Sequence, residues 1–258
     1  MDREYFSYLL FYDNNFQEQR VKNQWIIYST TNPPEIYYDK YPSRFAELMK
    51  ISGYQCMTIN NSNTYIMNTS TKDFTDNNQY SISTWFKISQ NSLDSIIRGE
   101  TRFIPGIEWE DTTGKTVKIK FMDHANETNN VCLTIEFSNY KKFEIFYEQY
   151  YQPEHWFHFF YSRKDNIDRI WIDGKLLFET NVDFKKANIC KFRNIKLGNP
   201  YQTQISGIFE YSYDEFFICN EAIHYEKDFN VPNRWSQILY PEVSVFESQN
   251  IDNHNNYE

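Results

Sequence analysis

At 258 residues the chain is long enough for one large β domain, since sandwiches run to about 200–250 residues as single units. Aromatic residues make up 19% of it, with 21 Tyr and 22 Phe, and aromatic and β-branched side chains favour a pleated, half-buried surface. A net charge of −9 leaves no basic field to neutralise phosphates, which argues against nucleic-acid partners, and no run approaches the ~18 apolar residues of a membrane-spanning helix.

Segments of period-2 alternation bounded by Asn, Asp, Gly and Pro clusters recur along the chain and predict antiparallel strands. In chain order they run from Tyr5 to Tyr12, Gln55 to Asn60, Tyr80 to Ile88, Thr116 to Met122, Val131 to Ser138 and Lys142 to Tyr147. They continue from Trp156 to Arg163, Arg169 to Asp173, Phe192 to Leu197 and Phe209 to Cys219. Asp173-Gly174 stands between the apolar runs Ile170–Ile172 and Leu176–Leu177, a strong hairpin signal because both residues accept positive φ. Helical periodicity is nearly absent, and a single helical turn is expected over Glu221–Tyr225, ahead of Pro232. No repeat or linker divides the chain, so we expect one domain over 1–240 and a polar, acidic tail over 241–258 docked on a neighbour.

Cys56, Cys132, Cys190 and Cys219 are far apart, and none belongs to a C-x-x-C pair. They read as reduced core thiols rather than metal or redox motifs. Met1-Asp2-Arg3-Glu4 carries acids where a secretory signal has a basic region, so synthesis in a cytoplasm is expected. The sequons at Asn60, Asn68 and Asn126 are expected by chance in so Asn-rich a chain.

Several phrases, taken in order, resemble the concanavalin A-like, laminin G-like modules of bacteriophage tail and virion proteins. Leu9-Leu10-Phe11-Tyr12-Asp13 resembles the first strand of such modules; Asn63–Ile66 with Tyr80–Lys87 resembles the stretch leading into a Trp-bearing strand. Trp156–Arg163 followed by Ile170–Gly174 is similar to the two central strands, and Tyr213–Ile218 with Ala222–Tyr225 and Phe229–Pro232 to the closing strand and turn. The resemblance implies an all-β fold, a two-sheet antiparallel jelly-roll β-sandwich of the concanavalin A-like lectin/glucanase type, with the first and last strands adjacent. That fold serves lectins, adhesins, glycosidases and structural modules alike, so it fixes no single function.

Glycosidases of this fold carry paired carboxylates in an E-x-D-x-x-E pattern; Glu108-Trp109-Glu110-Asp111 and Glu226-Lys227-Asp228 are the nearest approaches and both lack the third acid. No nucleophile elbow, phosphate loop or H-E-x-x-H occurs either, so no catalytic residue is assigned and the chain is read as a non-enzyme. His155 and His158, three apart on a predicted strand, would point to opposite faces and could not chelate one metal.

Sugar recognition needs aromatic rings beside hydrogen-bonding groups, and the candidates are Trp109, Tyr147, Tyr150 and Tyr151; the alternative, which the abundance of rings favours, is that they are core or glue between subunits. No cofactor is required; calcium, which the family sometimes holds where the first and closing strands meet, would fall to Asp13 and Asp214. The resulting expectation is a virion structural component made in a host cytoplasm. Its partners would be other virion proteins or further copies of itself, with host-surface polysaccharide as a further ligand. A free lectin or adhesin is the alternative, and a glycoside hydrolase of the same fold the third reading.

Overall fold

The computed structural model describes residues 5–12, 15–18, 25–29, 36–37, 56–60, 64–69, 79–100, 103–111, 116–123, 131–137, 141–146, 154–165, 167–180, 192–198, 210–219, 222–223 and 227–231. Its strands are β1 (Tyr5–Tyr12), β2 (Asn15–Glu18), β3 (Trp25–Ser29), β4 (Ile36–Tyr37), β5 (Met57–Ile59), β6 (Thr64–Thr69), β7 (Tyr80–Ile88) and β8 (Phe103–Asp111). They continue with β9 (Thr116–Asp123), β10 (Val131–Phe137), β11 (Lys141–Phe146), β12 (Phe157–Lys164), β13 (Ile167–Ile172), β14 (Lys175–Thr180), β15 (Phe192–Gly198) and β16 (Tyr211–Cys219). Among the described residues there is one helix, α1 (Gln90–Ile97), which follows β7.

These strands form two antiparallel sheets, as the alternation predicts. Sheet A runs β14-β13-β12-β7-β16-β1-β2, with β5 also pairing β16 and β4 pairing β5; sheet B runs β11-β10-β9-β8-β15-β6-β3. The first and last strands are neighbours, with Leu9 opposite Phe216. Asp173 and Gly174 join β13 to β14 at φ 49 and 76, the positive pair that a tight hairpin needs.

The core lies between the sheets because alternate residues of facing strands are apolar. Ile82 and Phe86 of β7, Phe157, Phe159 and Tyr161 of β12 and Ile170 and Ile172 of β13 meet Ile107 and Trp109 of β8, Ile119 of β9 and Leu197 of β15. At one end this core is polar. Trp109 Nε1–H donates to Tyr80 Oη (3.3 Å), which lies 3.2 Å from Tyr161 Oη; Tyr161 Oη–H donates to Asp168 Oδ1, and the Arg163 guanidinium meets the same carboxylate at 3.1 and 3.3 Å. Arg163 and Asp168 are 1% and 0% exposed, so each charge depends on the other for its solvation. Tyr213 provides a second tie between sheets, its hydroxyl donating to the Gly106 carbonyl at 2.6 Å.

Strands β2, β3, β4 and β6 lie outside the predicted segments, and three further departures have a physical cause. β8 was not expected because Pro105-Gly106 reads as a breaker; Pro105 is accommodated where the β8–β9 register shifts, since a bulge releases the residue from the ladder. Helix α1 was not expected either: its buried residues are Ser92, Leu93, Ser95 and Ile96, and serines hide an apolar stripe. Its N-cap is Ser89, whose side chain accepts the Ser92 N–H. At the expected helical turn, Ala222 and Ile223 are not helical, and the other residues of Glu221–Tyr225 lie outside the described set, as does the segment 241–258.

Burial lifts the hydroxyls of this core. It pushes Tyr80 up to about 12, and it pushes Tyr161 and Tyr213 well above the ordinary 10.0. Since the folded chain favours the neutral phenols, this part of its stability is complete below pH 10.0 and is lost as pH rises from there toward about 12. Titration of tyrosinate absorbance should leave these phenols silent in the folded chain at pH values where urea-unfolded chain ionises fully. Asp168→Ala strands a buried guanidinium and should cost about 3–5 kcal/mol by chemical denaturation.

Candidate recognition site

The candidate site is the rim where the chain enters β12. Glu154 takes φ 64, and its N–H donates to the Ile88 carbonyl at 2.9 Å. Its Oε1 accepts the Gln90 N–H at 2.9 Å, so the carboxylate caps the first turn of α1, where a negative charge is favoured. This anchor fixes the next two residues: His155 is exposed and Trp156 half-buried. The Lys87 ammonium, only 6% exposed, stands 4.8 Å from the centre of the Trp156 ring, a cation–π contact strengthened by its desolvation. Trp156 Nε1 is buried and has no hydrogen-bond partner among the described residues, a donor whose burial costs about 1–3 kcal/mol unless something accepts from it.

The sequence-derived sites are distributed differently. Trp109 is 0% exposed, on the inner face of β8, edge-on to Tyr161 at 5.1 Å; a ring enclosed in the core has no face for a sugar, so its place among the glycan candidates is corrected to packing. Tyr147, Tyr150, Tyr151 and Asp13 lie outside the described residues. Asp214 lies on β16 opposite Trp85 and is 5% exposed. Its Oδ1 accepts the Glu215 N–H at 2.9 Å. Among the described residues no group of three His, Cys, Asp or Glu side chains is placed to hold a metal ion, so Asp214 brings one carboxylate and no assembled calcium site. His155 precedes β12 rather than standing on it, while His158 is 0% exposed with Nε2 2.8 Å from Ser83 Oγ, a structural imidazole.

The outer face of sheet B offers a different chemistry. Lys196, Glu108, Lys118 and Glu136 stand in register across β15, β8, β9 and β10. Glu108 is bridged to Lys196 at 3.0 Å and to Lys118 at 3.9 Å, and Glu136 to Lys120 at 2.6 Å. Among the described side chains of these four strands, none on that face is aromatic. Glu108 is held between two ammonium groups, which suits an ion pair and not a general acid.

Trp156 was legible only in part. It was read as the first residue of an apolar strand, and the adjoining Pro153-Glu154 was the signal that the strand begins later. Cys56 is a buried thiol outside any disulfide, as expected, with Sγ 3.8 Å from Thr58 Oγ1, and it is pushed up to about 12 by burial and, next, by the Asp214 carboxylate. A thiol reagent at pH 8 should therefore leave Cys56 unlabelled in the folded chain and label it in urea, read by peptide mass spectrometry.

No family model and no curated protein sequence matches the chain. Among solved structures it is similar to the botulinum neurotoxin serotype D binding domain, with a TM-score of 0.57 and 12% identity over 92% of this chain and 51% of that one. It is likewise similar to the serotype D ligand-binding domain in complex with N-acetylneuraminic acid, at 0.57 and 13% over 92% and 50%. The receptor-binding domain of the C/D mosaic serotype gives 0.55 and 12% over 92% and 51%. The chain spans about half the length of the domains it matches. The likeness establishes a shared β-sandwich fold.

Proposed function

We propose that the chain is a non-catalytic recognition module that attaches to surface glycan through the rim around Trp156. The observation that carries this reading is a half-buried indole, braced by Lys87 at 4.8 Å and positioned by the Glu154 cap. A ring already fixed before binding loses little conformational entropy when a sugar stacks on it. Tyr150 and Tyr151 precede this rim by a few residues in sequence and are proposed to widen the aromatic platform. The ion-paired face of sheet B and the absence of the glucanase acid pattern support recognition over hydrolysis.

The fold-level likeness to domains described as receptor- and ligand-binding is consistent with this role. Carriage on a virion, with other virion proteins or further copies of the chain as partners, is the finer form of the proposal; the ordered run of phage-like phrases from Leu9 to Pro232 favours it. Recognition by stacking needs no cofactor. A calcium ion at Asp13 and Asp214 would brace the junction of β1 and β16 rather than touch sugar. In that case the thermal midpoint should rise in calcium and fall in chelator, and an unchanged midpoint removes the ion from the account.

Glycan-array binding of the intact chain tests the central proposal. Binding to a defined glycan class should weaken about tenfold or more in Trp156→Ala and in the Tyr150→Ala/Tyr151→Ala pair, in line with the loss of a stacked ring. Array binding unaltered by these substitutions, or none by the wild-type chain, contradicts the reading.

A further inference from the structure

The outer face of a sandwich sheet ordinarily meets water. On sheet A, however, Trp85 is 5% exposed and His158, Phe160 and Trp171 are each 0% exposed. Across this face lie residues 222–223 and 227–231, which belong to no helix or strand. They are fastened by the Ile223 N–H to Ser81 Oγ at 2.9 Å and by the Trp171 indole N–H to the Lys227 carbonyl at 3.2 Å. The Leu176 N–H donates to Asp228 Oδ1 at 2.9 Å, and the Phe229 N–H to the Gly174 carbonyl at 2.8 Å. Between these fastenings the Phe229 ring sits edge-on to His158, Phe160 and Trp171, with centroids 6.3, 5.7 and 6.1 Å away.

This is the layout of a peptide in a groove rather than of a strand in a sheet. One aromatic anchor fills a pocket with aromatic walls, and backbone bonds on the neighbouring hairpin set its register. The hairpin is shaped to receive it: a Cβ on Gly174 would lie 1.9 Å from the Phe229 carbonyl oxygen, so the turn needs glycine for the approach as well as for its positive φ. None of these four fastenings is a pairing between sheet strands, so removing the segment leaves the ladders of both sheets intact.

We propose that the outer face of β12 and β13 is a groove for an extended peptide with an aromatic anchor, filled in cis by 222–231, and that this strap leaves and re-docks while the sandwich stays folded. Release exposes the His158, Phe160 and Trp171 pocket and loosens the tether on the chain beyond Val231. The proposal is independent of the glycan reading, because the groove and the Trp156 rim share no residue.

Hydrogen exchange on the full chain, read by mass spectrometry, tests it. The Leu176 and Phe229 amides, which make the strap-to-hairpin bonds, should exchange faster than the amides of β7 and β12. Phe229→Ala should speed exchange at Leu176 about tenfold or more while leaving β7 unchanged, and a synthetic peptide spanning 222–232 should restore the protection when added to that variant. Gly174→Ala blocks docking from the other side but also strains the turn, so it is read at the Ile223 amide, which bonds Ser81 away from the hairpin and should exchange faster. Exchange at Leu176 matching that of β7 in the wild-type chain, or exchange at Leu176 in Phe229→Ala and at Ile223 in Gly174→Ala rising in step with β7, would mean that the strap opens only with global unfolding and would overturn the proposal.

Discussion

Sheet A is organised around the irregularity at Asp214 and Glu215. Strand β16 pairs with β7 along one edge, while its other edge is shared, β5 taking Tyr211 to Tyr213 and β1 taking Phe216 to Cys219. The core residues on this strand are Tyr211 and Tyr213 before the irregularity and Phe216 and Ile218 after it, a spacing that strict alternation cannot give. One extra residue restores both halves to the inner face. Glu215 absorbs it at φ 46, and Asp214 Oδ1 accepts the Glu215 N–H. Without the bulge one half of β16 would turn its apolar side chains outward.

With both inner faces filled, function is left to the outer surfaces, and these divide by chemistry. Sheet B presents a row of alternating charges whose pairs satisfy one another. Part of sheet A is occupied by the strap. The rim at the entry of β12 combines a positioned indole, a buried ammonium and a carboxylate already committed to capping a helix. A pre-positioned ring favours affinity because little is left to order on binding, which is why the recognition proposal settles there.

Much of the fold was legible in the sequence, and the failures have physical causes. The bounds of β1 and β7 follow from their alternation, and Asp173-Gly174 could only be a hairpin turn. Strand β8 was hidden by Pro105-Gly106, whose bulge is a tertiary accommodation that local propensity cannot foresee. The misplacement of Trp109 is instructive because the pattern held the answer: Glu108 and Glu110 flank it, and in a period-2 strand two outward acids require an inward indole. Segment 222–231 carried no signal of its docking, since an irregular strap is specified by the surface it meets and not by its own periodicity.

The most direct test of the account is the indole N–H region of the NMR spectrum during titration with surface glycan. Three of the chain's tryptophans report on separate places: Trp109 on the core, Trp171 on the pocket beneath the strap and Trp156 on the rim. The account predicts that the Trp156 signal moves with saturating dependence on glycan, while those of Trp109 and Trp171 stay in place. Movement at Trp171 or Trp109 with Trp156 unmoved, or no movement at any indole, would contradict it.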